Sequence, residues 1–107
     1  MEKKDVDKPE NSNTIVYTIR WNATKNVRLK LLRGVSFEEI IHGDFLGIDD
    51  HSSRSNQKVL IYRYKGYIWA LPFVFEKEGI FLKTMYPSRK FKKIYEKRSH
   101  DEKNKID

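Results

Sequence analysis

The chain has 107 residues, no cysteine, and 22 lysines and arginines against 15 acids, a formal charge of +7. That length holds one domain with a modest core, and the lack of thiols excludes disulfides and thiolate-ligated metals. The charge favours an anionic partner, whether RNA, DNA or an acidic protein surface.

Nothing near the start reads as a signal peptide, and the longest mainly apolar run, Tyr67 to Phe75, is about half of the roughly 20 residues a membrane helix needs. No membrane association and a cytoplasmic location are therefore expected. Residues 1–13 are polar, too poor in bulky apolar side chains to recover ordering entropy by burial, and are expected to be a disordered leader. A single domain is expected over residues 14–98, followed by a disordered charged tail over 99–107.

Ile15 to Trp21 is rich in β-branched and aromatic residues and predicts a strand. Asn22 then offers a side-chain cap for a helix of about eleven residues that Gly34 stops. Val27 and Leu31, four apart, give that helix an apolar face, with Lys25, Arg28 and Arg33 elsewhere on its surface. Ser36 and Glu39 have capping-box spacing, Val35 and Ile40 supply a hydrophobic staple, and Phe37, Ile40 and Ile41 form the buried side of a second helix.

Asp44 to Ile48 predicts a short strand, and Asp49 to Asn56 a polar loop. Three denser strands follow, Val59 to Lys65, Tyr67 to Phe75 and Ile80 to Tyr86, joined by turns short enough to demand antiparallel hairpins. Pro87 closes the last. Ser88 to Arg98 predicts a basic helix with Phe91, Ile94 and Tyr95 on its apolar side. The order predicts an α+β fold: an antiparallel β-meander sheet, two N-terminal helices packed on one face and a basic C-terminal helix.

Basic residues are concentrated late in the chain, with Arg89, Lys90, Lys92 and Lys93 directly after the last predicted strand. Arg89 is the strongest candidate among them, because an arginine at a strand end can fork onto a phosphate. Arg63 and Lys65 share parity with Val59 and Ile61, so one sheet face turns from apolar to charged, while Leu60, Tyr62 and Tyr64 fall on the other, where the tyrosines either stack bases or pack across strands. His51 is a loop histidine beside Asp49, Asp50 and Ser52, a candidate general acid or base. Tyr86 reads as base, stacking platform or plain strand terminus. The adjacent Asp49 and Asp50 fit a solvated turn better than a magnesium site, and no histidines have zinc spacing.

Trp21 and Lys25, followed at fixed spacing by Arg33-Gly34-Val35-Ser36-Phe37-Glu38-Glu39, resemble the W-x-x-x-K and H/R-G-V-S-F-E-E-A opening of the BrnT family of bacterial toxins. Ser88-Arg89-Lys90 is similar to that family's S-A-R-K/R-A stretch after the last strand, although Pro87 precedes it here. The resemblance covers roughly Tyr17 to Tyr95, and the aromatic Tyr67-Ile68-Trp69-Ala70-Leu71-Pro72-Phe73 segment departs from it. It implies a RelE-like fold and the toxin of a type II toxin–antitoxin pair, an endoribonuclease needing neither metal nor cofactor. A cognate ribbon-helix-helix antitoxin would neutralise it and supply any contact with DNA. Matching positions nominate Lys25, Arg89 and Lys90, with His51 and Tyr86 as further catalytic candidates and Arg28, Arg63, Lys65, Lys92 and Lys93 as RNA contacts. The rivals are a non-catalytic basic nucleic-acid-binding module and a protein-interaction module.

Overall fold

The computed structural model describes residues 18–105, with side chains as far as Arg98. The expected leader over 1–13 and the first part of the expected opening strand lie outside the described residues. The elements are β1 (Thr18–Trp21), α1 (Ala23–Arg33), α2 (Phe37–Ile41), β2 (Asp44–Asp50), β3 (Lys58–Tyr64), β4 (Tyr67–Glu76), β5 (Gly79–Leu82), β6 (Tyr86–Pro87) and α3 (Arg89–Lys105).

Local chemistry sets the helix ends. Asn22 caps α1 by accepting from the Lys25 N–H at 2.8 Å, and Gly34 ends it in the left-handed conformation at φ 81°. Glu39 N–H donates to Ser36 Oγ at 3.2 Å while Ser36 N–H donates to Glu39 Oε1 at 2.7 Å, completing the capping box of α2. Asn26 joins the two helices: its oxygen accepts from the Phe37 N–H at 2.8 Å and its amide donates to Glu38 at 2.6 Å.

The sheet runs β1-β5-β4-β3-β2, with β6 pairing a separate stretch of β4. Neighbouring pairs from β2 to β5 are antiparallel, but β1 joins β5 in parallel, so the fold is α+β with a mixed sheet. Gly79 permits that junction, because a Cβ there would lie 2.0 Å from the Thr18 carbonyl oxygen. The strand expected from Ile80 to Tyr86 is in fact two. β5 pairs Phe73 to Glu76, the chain leaves the ladder after Leu82, and β6 returns to pair Trp69 and Ala70. Between them lies Pro72, which has no N–H to donate, although its carbonyl accepts from the Lys83 N–H at 2.8 Å.

Each sheet face has its own core. Leu60, Tyr62, Trp69, Leu71, Phe73 and Leu82 meet Leu29, Phe37 and Ile40 of α1 and α2. On the opposite face Val59, Ile61, Ile68 and Ala70 meet Phe91 and Tyr95 of α3. Tyr62 is thus buried against the helical layer and Tyr64 packs beside it, so cross-strand packing, not base stacking, is their role in the fold. Lys65 occupies the hairpin turn with φ 51°, next to Gly66 at φ 75°, and its ammonium lies 5.5 Å from the Tyr64 ring centroid. Strand alternation therefore does not place Lys65 on the Arg63 face.

The apolar stripe expected to seat α1 instead faces outward: Val27 is 62% and Leu31 81% exposed, while Leu29 is buried. Hydrogen bonding chose the face. Asn26, Leu29 and Lys30 lie on one side of the helix, where Asn26 engages α2 and the Lys30 ammonium binds Glu39 at 2.9 Å. At the other end of the chain α3 continues seven residues beyond the expected end at Arg98, through a stretch with no glycine or proline to stop it.

Candidate functional site

An open hollow of about 360 Å³ is lined by Lys25, His51, Arg54, Gln57, Pro72, Lys83, Thr84 and Tyr86. Four segments distant in sequence supply it: the first turn of α1, the β2–β3 loop, the middle of β4 and the chain from β5 to β6. It holds three formal cations and no carboxylate. Lys25 lies at the start of a helix whose first turn carries no acid, so the positive end of the α1 dipole adds to the same field.

The loop is built around His51. The N–H groups of Ser53 and Arg54 donate to His51 Nδ1 at 3.1 and 3.2 Å, and Gln57 N–H donates to the Arg54 carbonyl at 3.1 Å. Two donors on Nδ1 leave the ring proton on Nε2. In this form Nε2 donates to a ligand and cannot take a proton from one, which argues against His51 as the general base. Arg54, adjacent to the turn that His51 holds, enters the lining with it.

The two acids before the loop have their own partners. Asp49 accepts from the Tyr95 hydroxyl at 2.8 Å, and Asp50 pairs with the Lys58 ammonium at 2.7 Å. A hydrogen bond from Lys58, reinforced by its charge, holds the Asp50 carboxyl below its ordinary value. Among the described residues no three His, Asp or Glu side chains gather as metal ligands.

Three sequence-nominated residues, Lys25, His51 and Tyr86, thus meet in one place. Tyr86 is half-buried against the α3-side core and lines the hollow as well. The others do not line it. Arg89 and Lys90 are exposed at the first turn of α3, three and four residues after Tyr86, with Lys90 also 5.2 Å from the Phe91 ring centroid. Lys92 pairs with Glu96 and stands 5.8 Å from the Tyr67 ring centroid, toward the β3–β4 hairpin. Lys93 and Arg28 are exposed on their helices, and Arg63 is half-exposed near the end of β3.

Arg54 and Lys83 are the lining cations that sequence reasoning did not nominate for the site. Lys83 had one signal, a cation directly after an apolar strand near a proline-bearing neighbour; Arg54 had only its nearness to His51. The hollow can bind an anion through Lys25, Arg54 and Lys83, with the His51 Nε2–H and the hydroxyls of Thr84 and Tyr86 as hydrogen-bonding groups. Comparison of the chain with protein-family models, with curated proteins and with solved structures finds no match.

Proposed function

We propose that this chain is a RelE-like toxin of the BrnT kind, an endoribonuclease that grips an RNA phosphate in the hollow and cleaves beside it without a bound cofactor. One observation carries the reading. Lys25, His51 and Tyr86, nominated from separate parts of the sequence, line a single carboxylate-free hollow together with Arg54 and Lys83. A metal-independent RNase needs cations where charge gathers on the phosphorane, and three cations can supply that. With His51 in its donor form, Tyr86 is the group left for proton transfer: as the phenolate it would accept the 2′-hydroxyl proton as that oxygen attacks phosphorus, and as the phenol return it to the 5′-oxygen whose bond to phosphorus breaks. Arg89 and Lys90 follow Tyr86 closely and are assigned to the flanking strand of RNA.

A protein partner is supported by a different feature. Ile19, Phe45, Ile48, Phe75 and Ile80, with Leu60, Tyr62 and Phe73, line a mainly apolar trough on a part of the α1–α2 sheet face that those helices leave open, and Phe75 is 65% exposed. Exposed apolar surface of this kind marks interaction sites, and the reading assigns it to the antitoxin.

The decisive experiment compares RNA cleavage by the purified parent, Lys83→Ala, Tyr86→Phe and Arg89→Ala proteins, each shown folded by circular dichroism. Lys83→Ala should lower the rate on the order of a hundredfold, as loss of one transition-state contact does. Loss with Arg89→Ala but not with Lys83→Ala would move the centre to the start of α3. The second reading, RNA binding without cleavage, is favoured by one fact: His51 Nδ1 is already committed to the loop. Binding by the parent with no cleavage of any RNA, with or without ribosomes, selects it.

A further inference from the structure

The loop carrying His51 and Arg54 is tied to the opposite side of the sheet by a contact outside the hollow. Tyr95, in the second turn of α3, is 8% exposed and packs with Phe91 against Val59, Ile61, Ile68 and Ala70. Its hydroxyl passes the edge of the core and donates to Asp49 Oδ2 at 2.8 Å. The sheet makes room for it: the β2–β3 register slips between Phe45 and Gly47, and a Cβ on Gly47 would meet the Tyr95 hydroxyl at 2.9 Å. A bulge and a glycine together form a notch fitted to a phenol. Arg98 lies over the same ring, 4.5 Å from its centroid.

Asp49 stands two residues before His51 at the end of β2, and its neighbour Asp50 is fixed to Lys58 across the strand pair. The route from α3 to the hollow is short: Tyr95 hydroxyl, Asp49, the end of β2, then His51 and the turn it caps. We infer that Tyr95 is a positioning residue, and that its hydrogen bond to Asp49 is a latch through which α3 sets the His51–Arg54 wall of the hollow for anion binding. The inference rests on the reading that the hollow binds phosphate. It also gives α3 a role beyond its charge, because the basic helix and the loop wall then move as one unit, and whatever displaces α3 opens the hollow.

The test uses the full chain and inorganic phosphate as the probe. Tyr95→Phe keeps the ring in the core and removes only the donor, whereas Asp49→Asn keeps an accepting oxygen. Phosphate affinity is measured by titration, and nitrogen NMR follows the His51 ring and the amides of Ser53 and Arg54. Tyr95→Phe should weaken phosphate binding about fivefold, the worth of one hydrogen bond, and change the Ser53 and Arg54 amide signals; Asp49→Asn should stay close to the parent. Unchanged loop signals and affinity in Tyr95→Phe would overturn the latch. A parent that binds no phosphate, with loop signals that still change in Tyr95→Phe, would instead overturn the reading of the hollow and leave the coupling from α3 to the loop in place.

Discussion

Gly47 shows how much one missing methyl group permits. The space where its Cβ would lie is occupied by the Tyr95 hydroxyl at 2.9 Å, and Tyr95 is held there by a packed ring as well as by Asp49. The hydroxyl is on a rigid aromatic, so it cannot swing aside as the end of a lysine could. Gly47→Ala should therefore destabilise the fold by about 1 to 3 kcal/mol, as overpacking does, measured as a lower midpoint in urea. A midpoint equal to the parent's would mean that α3 shifts without cost. Burial raises the Tyr95 phenol above its ordinary value, and the hydrogen bond to Asp49 raises it further.

Between elements, the α1–α2 joint adds polar contacts, Asn26 with Phe37 and Glu38 and Lys30 with Glu39, to the buried Leu29, Phe37 and Ile40. Ser36→Ala removes one half of the capping box and should cost about 1 kcal/mol without touching the hollow; a variant that melts like the parent yet loses function would place Ser36 in the site. The joint is also sensitive to pH. The Glu39 carboxyl is lowered from its ordinary 4.5 first by the hydrogen bond from Lys30 and next by the Ser36 N–H. A carboxyl lowered on folding gives stability that is complete above its unfolded value and is lost as pH falls through the folded one. Glu38 and Glu76 shift in the same direction, Glu38 first through Asn26 and Glu76 first through Arg20. The melting temperature should thus fall as pH drops below 4.5, less steeply in Glu39→Gln, and less again at high salt because these groups are solvent-exposed. The caps could be read in advance because a cap depends on residues within four positions of each other. The orientation of α1 could not: Val27 and Leu31 satisfy helical periodicity, but Asn26 and Lys30 find partners in α2 that periodicity does not register. The parallel docking of β1 on β5 was hidden for the same reason, since Gly79 declares a close approach only once Thr18 is beside it.

At the scale of the whole molecule, the charge of +7 favours an anionic partner but does not say where one would meet the chain. Weighing the sequence by local density put the emphasis on the first turns of α3. The structure instead draws Lys25, Arg54 and Lys83 from three separate segments into one hollow, a convergence that no single stretch of sequence displays. That difference has a measurable consequence. For single-stranded RNA the logarithm of affinity falls with the logarithm of salt by about 0.7 for each phosphate neutralised, so three hollow cations would contribute a slope of about 2. Removing one that contacts a phosphate should flatten the slope by about 0.7 and weaken binding together. Lys83→Ala and Arg54→Ala should both do so, whereas Arg28→Ala, on the exposed surface of α1 outside the hollow, should leave the slope nearly unchanged. If instead Lys92→Ala and Lys93→Ala flatten the slope and Lys83→Ala does not, RNA lies along α3, and the hollow is no more than a gap between the loop and the sheet. The measurement needs only a short RNA without secondary structure, titrated over a range of salt concentrations. It separates the two locations even if cleavage is absent, because the slope depends on which cations meet phosphate and not on whether the strand is then cut.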